Sequence, residues 1–127
     1  MPTLERAGAG GILAISGFTG NGFRIGEGIF PAGMIIWPEG AGEWTPPALS
    51  ELEEGDFSLL DPVDPPLDLI LIGTGAALRR PSRLLIESFN HRHIGVEPMD
   101  SRAAARTYNL LAGEGRRVGA ALYPLNA

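Results

Sequence analysis

Leu67-Asp68-Leu69-Ile70-Leu71-Ile72-Gly73 is a nearly unbroken apolar run, closed by the turn Gly73-Thr74-Gly75. A strand of this composition buries both of its faces, as a central strand of a covered sheet does. Beyond it the apolar period lengthens. A helix opens at Pro81 or Ser82 and runs to about Arg92, with Leu84, Leu85, Ser88 and Phe89 at helical spacing. Ile94-Gly95-Val96-Glu97-Pro98-Met99 reads as the next strand. Asp100 then caps a helix over residues 101–112, stopped by Gly113 and Gly115. Val118-Gly119-Ala120-Ala121-Leu122-Tyr123 is a last strand before Pro124. The order β-α-β-α-β implies right-handed crossovers and a largely parallel arrangement.

Upstream the signals are those of antiparallel β structure. Residues 11–16 read as a short strand and Thr19-Gly20-Asn21-Gly22 as a tight turn. Phe23-Arg24-Ile25-Gly26-Glu27 alternates as a strand with one solvated face, and Gly28 breaks it. Gly33-Met34-Ile35-Ile36-Trp37-Pro38 is a buried strand, and Glu39-Gly40-Ala41-Gly42 a loop. Residues 48–54 suit a short helical turn after Pro47. The prolines of Asp61-Pro62-Val63-Asp64-Pro65-Pro66 exclude helix there. The fold class is therefore α/β: a mixed β-sheet with N-terminal antiparallel strands and a C-terminal β-α-β-α-β segment. A chain of 127 residues suits one domain, residues 1–127.

Composition narrows the chemistry. Cysteine is absent, which removes disulfides, thiolate metal ligands and a cysteine nucleophile. All ten basic residues are arginine, so Schiff-base chemistry and a phosphate-loop lysine are excluded too. The net charge of −5 gives no nucleic-acid footprint. Charge is divided unevenly: residues 1–78 hold 11 acids and two bases, residues 79–127 four acids and eight bases. Residues 43–68 carry eight acids and no base, suited either to a solvated loop or to steering of a partner. The uncharged stretch 7–23 is too short and too rich in glycine to span a bilayer, and Met1 to Arg6 lacks the basic start of a signal peptide. A protein that is not integral to a membrane is expected.

Three polar groupings are candidates for chemistry. Gly73-Thr74-Gly75 follows a central strand as a dinucleotide fingerprint does, but Leu78 stands where the third glycine belongs. The turn then serves to present backbone N–H groups. Arg79, Arg80 and Arg83 cluster at a helix start, where they form either an anion site or pairs with the acidic first half. Asp100 and Ser101 begin the second helix, and Arg102, Arg106 and Asn109 share one of its faces at i, i+4 and i+7. An Asp100/Arg106/Asn109 cluster suits a polar ligand, and equally a tie between this helix and the first-half strands. His91 and His93 would point about 200° apart on a helix, wrong for a shared metal. No serine sits in a nucleophile elbow, so neither catalytic residues nor a metal site is assigned.

The motifs Leu69-Ile70-Leu71-Ile72-Gly73-Thr74-Gly75, Arg79-Arg80-Pro81, Ile94-Gly95-Val96-Glu97-Pro98-Met99-Asp100, Ala105-Arg106-Thr107-Tyr108-Asn109-Leu110-Leu111, Glu114-Gly115-Arg116-Arg117-Val118 and Ala120-Ala121-Leu122-Tyr123-Pro124 occur in this order. Together they resemble a family of small α/β domains that includes the mitochondrial respiratory complex I assembly factor three and many uncharacterised bacterial proteins. Ser101 stands where that family's pattern suggests threonine. The resemblance implies a three-layer fold, no established catalytic residues and no cofactor. For mitochondrial members it implies assembly of NADH:ubiquinone oxidoreductase through protein partners at a membrane surface. The short N-terminus aligns this chain with the bacterial members, which implies a cytoplasmic protein peripheral to the inner membrane. A non-enzymatic protein-interaction domain is thus the leading expectation. The alternative is a small-molecule or anion-binding protein, or an enzyme, using Gly73, Thr74, Gly75, Arg79, Arg80, Asp100, Ser101, Arg106 and Asn109. That alternative requires these side chains to converge on one open cleft.

Overall fold

A computed structural model describes the strand Leu4–Arg6 and residues 11–127. Nine strands are present among them: β1 (Leu4–Arg6), β2 (Gly17–Thr19), β3 (Gly22–Ile25), β4 (Gly28–Phe30), β5 (Met34–Trp37), β6 (Gly40–Glu43), β7 (Leu69–Gly73), β8 (Gly95–Met99) and β9 (Val118–Leu122). Two α-helices, α1 (Arg83–Asn90) and α2 (Ser101–Gly113), join the last three, and two 3-10 segments, Leu49–Glu51 and Glu54–Leu60, lie between β6 and β7.

The larger sheet runs β1-β6-β5-β9-β7-β8. β7 pairs in parallel with both β8 and β9, while β5 pairs antiparallel with β9 and β6. The mixed sheet read from the sequence is thus present, with β7 in its interior. Side-chain alternation along β7 assigns its two faces. Leu71 packs with Ala104, Ala105 and Tyr108 of α2, whereas Ile70 and Ile72 pack with Leu85 and Phe89 of α1. The helices therefore cover opposite faces, giving three layers. The small sheet β2-β3-β4 shares the α2 side, where Phe23 and Phe30 are fully buried.

Both helix starts follow their caps. Ser82 Oγ accepts from the Leu85 N–H at 3.2 Å, and an Asp100 carboxylate oxygen accepts from the Ala103 N–H at 3.0 Å. Helix α1 ends at Asn90, two residues short of the expected Arg92, where His91, Arg92 and His93 form turns with His93 at φ +61°.

Four expectations in the first half need correction. Residues 11–16 form no strand: Ile15 bonds to a side-chain amide of α2, and among the described residues only the Leu13 and Ser16 N–H groups reach backbone, at Pro38 and Arg24. Gly28 does not end the β structure but starts β4, after a turn in which Gly26 adopts φ +55°. The expected loop 39–42 is largely β6, whose small residues let β1 and β5 flank it closely. The helical turn expected over residues 48–54 is split into the two 3-10 segments, the second extending to Leu60.

The acidic stretch is no free loop either. Trp44, Leu49, Leu52 and Phe57 are each at most 7% exposed and complete the core on the α1 side. The Phe57 ring lies tilted 5.5 Å from Trp44 and meets Phe89 edge-to-face at 5.0 Å. Carboxylates alternate with these apolar residues and face outward, and Glu53 and Asp56 cap each other's backbone reciprocally.

Candidate functional site

Because α1 and α2 follow neighbouring parallel strands onto opposite faces, the chain leaves the carboxyl ends of β7 and β8 in opposite directions. Open α/β sheets hold ligands in the crevice at such a point. Here it is filled by the protein's own polar groups. The Thr74 N–H donates to the Met99 carbonyl at 2.8 Å, and the Ser101 N–H to the Gly75 carbonyl at 2.9 Å. Ser101 Oγ accepts from the Gly75 N–H at 2.8 Å and donates to the Tyr123 carbonyl at 2.7 Å, locking β9 to both loops. Thr74 Oγ1 donates to the Ala77 carbonyl at 2.7 Å and accepts from the Arg79 N–H at 2.9 Å. The Arg79 guanidinium returns to the Thr74 carbonyl at 2.9 Å. Thr74 and Ser101 have no solvent exposure. Gly75 has φ +102°, and a Cβ there would collide with the Ala127 main-chain oxygen.

The structure thus gathers Gly73, Thr74, Gly75, Arg79, Asp100 and Ser101 at the carboxyl ends of the strands; the polar groups of Thr74, Gly75 and Ser101 are bonded within the protein, Asp100 caps α2, and Arg79 is exposed apart from its bond to the Thr74 carbonyl. It leaves the other predicted residues apart. Arg80 and Arg106 are exposed. Asn109 is committed to residue 15, accepting from the Ile15 N–H and donating to its carbonyl, both at 2.8 Å. The side-chain amide stands in for a neighbouring strand, which explains why residues 11–16 are held without one. Tyr108 assists by donating to the Leu13 carbonyl at 2.9 Å, and burial raises its phenol above the usual tyrosine range, with Glu39 adding to the effect and Arg117 opposing it. Arg102 lies over the Phe18 ring at 4.8 Å. Of the two arrangements the spacing allowed for the Asp100/Arg106/Asn109 helix, the tie to first-half backbone is made by Asn109, while Asp100 caps its own helix. The described clefts include none of the nine predicted residues.

The open relief lies on the α1 face. One cleft of about 440 Å³ is bounded by Phe57, Leu67, Ile70, Phe89 and Ile94, with Glu54, Asp61 and Arg92 among its polar lining. A second of about 550 Å³ lies between residues 50–55 and the Ser82, Leu84, Leu85 and Ser88 side of α1. Sequence reading missed both because it weighed residues 43–68 by their charge, as a solvated loop or a steering surface, and not by their apolar residues. The available signal was apolar spacing within that acidic stretch, from Leu49 and Leu52 to Phe57, Leu60 and Val63. Among the described residues no three His, Cys, Asp or Glu side chains gather as metal ligands.

These features define a three-layer α/β protein with a closed strand-end crevice and an acidic, apolar-floored seam on one face. Comparison with known proteins places it further. The family described as "Protein of unknown function (DUF498/DUF598)" matches residues 15–123, and the chain belongs to that family. It is 36% identical over 118 residues to an uncharacterised protein of Rhodobacter capsulatus, covering 93% of this chain and 90% of that one. It is also similar to NADH dehydrogenase (ubiquinone) 1 alpha subcomplex assembly factor 3 of Homo sapiens, 29% identical over 112 residues. That match covers 88% of this chain and 61% of the human protein, so the chain spans less than two thirds of this relative. A Bordetella parapertussis protein of known crystal structure matches with a TM-score of 0.79 and 27% identity, over 92% of this chain and 99% of that one. The family resemblance read from the motifs is therefore correct.

Proposed function

We propose that the chain is a non-enzymatic protein-interaction domain that assists assembly of a membrane-bound respiratory complex from the membrane surface. The observation that carries this reading is the likeness to the human assembly factor across 88% of the chain. The closed crevice agrees with it, because the place where an α/β sheet offers ligand-binding groups is occupied by internal hydrogen bonds. Among the described residues no helix is long and apolar enough to cross a membrane. The acidic stretch 43–68, with eight acids and no base, supplies charge for contacts with a partner protein.

Deletion of the gene in the organism that encodes the chain tests the proposal. Native-gel quantitation of NADH:ubiquinone oxidoreductase should reveal less assembled complex, restored when the chain is expressed in trans. Unchanged assembly in the deletion strain would overturn the reading.

A further inference from the structure

The two clefts adjoin at Glu54 and Gly55, and together they follow the seam between the 3-10 segments and α1 as one acidic trough with Glu54 at its middle. The floor of the first is apolar, with Phe57, Leu67, Ile70, Phe89 and Ile94 all at most 5% exposed. The second opens beside Leu84, a residue 78% exposed on a helix whose opposite side is core. Four carboxylates line the trough, those of Glu51, Glu53, Glu54 and Asp61, against the single guanidinium of Arg92.

Arg92 reveals what the trough can hold. Its guanidinium carbon stands 5.6 Å from the centre of the Phe89 ring, and Nη1 lies 2.5 Å from a Glu54 carboxylate oxygen. A carboxylate beside an aromatic face is the chemistry that recognises a guanidinium. The two side chains of this pair remain 49% and 38% exposed, so the contact is weakly held and open to exchange. Glu51 and Asp61 have no ion-pair partner among the described residues, and Asp61 closes the trough at the far end of the second 3-10 segment.

We propose that this trough docks a basic amphipathic segment of a partner protein. Its apolar side chains enter the two clefts, and its arginines or lysines face Glu51, Glu54 and Asp61, competing with Arg92 for Glu54. The inference rests on the interaction-domain reading and adds the chemistry of the partner. Charge complementarity selects the occupant: the segment 43–68 that walls the trough contains eight acids and no base.

The test is a titration of the isotope-labelled full chain, followed by amide resonances. The probes are a synthetic leucine/arginine amphipathic peptide, a leucine/glutamate peptide of the same length and pattern, and anionic phospholipid vesicles. The leucine/arginine peptide should shift resonances of residues 50–55 and 82–92, with affinity that falls as salt rises. The leucine/glutamate peptide and the vesicles should leave them unmoved. Glu51→Gln with Asp61→Asn should weaken the basic peptide about fivefold, and Leu84→Ser should weaken it too. All three positions are exposed, so the fold survives these changes. Shifts confined to another face, equal binding by the charge-neutralised variant, or vesicle binding through the trough would each overturn the inference. If deletion depletes the respiratory complex but the trough ignores the basic peptide, this inference fails and the assembly reading stands. If the peptide docks but deletion leaves the complex intact, the assembly reading fails instead.

Discussion

Replacing Ser101 with alanine should destabilise the protein far more than the loss of one surface hydroxyl. Ser101 is a first-turn helix residue with no exposure, and its oxygen serves two backbone groups at once. Alanine leaves the Gly75 N–H without its acceptor and the Tyr123 carbonyl without its donor, both in buried residues. Each orphaned group costs about 1–3 kcal/mol, and removing the hydroxyl returns part of its own desolvation, so a net loss of about 3 kcal/mol is expected. For a chain of this length that corresponds to a fall in Tm of about 10 °C. Urea unfolding followed by tryptophan fluorescence reads it directly, because Trp37 and Trp44 are both buried. Arg106→Ala is the matched control: the side chain is exposed, and its loss should stay within about 0.5 kcal/mol. A loss below about 1 kcal/mol for Ser101→Ala would refute the reasoning. It would mean that water reaches Gly75 and Tyr123, and that the strand-end crevice is open to ligands after all.

Asn109→Asp keeps the acceptor for the Ile15 N–H but sets a second oxygen against the Ile15 carbonyl. It should cost about 2 kcal/mol and speed hydrogen exchange across residues 13–16 before the rest of the fold. Phe57→Ala removes the ring between Trp44 and Phe89 and should cost about 3–5 kcal/mol in urea unfolding; a cost near zero would show that the acidic stretch is a loop. Burial pushes the Tyr123 phenol up to about 12, with Asp56 adding to the shift and Arg79 opposing it, and Tyr108 is raised in the same direction. The folded protein keeps these protons after the unfolded chain has lost them near pH 10, roughly the ordinary tyrosine value. Stability should therefore be full below about pH 10 and fall as the pH rises toward 12. Phenolate absorbance recorded beside unfolding curves checks this, and ionisation of both tyrosines in the folded state near pH 10 would contradict it.

The second half of the fold was legible because its signals are local. An apolar run with both faces buried, Ser82 and Asp100 as caps, and Gly115 as a stop place β7, α1, β8, α2 and β9 within a few residues, although α2 runs through Gly113, which the sequence suggested as a stop as well. The first half was less legible because its partners are remote in sequence. Residues 11–16 have strand composition, yet Ile15 is held by an asparagine 94 positions away, a partner that no local pattern announces. Gly40-Ala41-Gly42 has loop composition, and only the close flanking by β1 and β5 makes it a strand. The polar motifs at Gly73 to Gly75 and at Asp100 to Asn109 stand out in the sequence, but their partners do not. Their hydrogen bonds show that much of their polarity organises the sheet edge and the 11–16 segment. The trough stayed hidden because carboxylate-rich sequence reads as solvent-facing, whereas Phe57 and Leu52 within it are 2% exposed.

The proposed docking places the chain's action at the acidic seam and not at the strand-end crevice. In the deletion strain, the amount of assembled NADH:ubiquinone oxidoreductase should be restored by the wild-type chain and by Arg106→Ala. It should not be restored by a chain carrying Glu51→Arg and Asp61→Arg, two exposed changes that reverse the charge of the trough and leave the core untouched. Full restoration by the charge-reversed chain, with failure of Arg106→Ala, would contradict it and return attention to the α2 face.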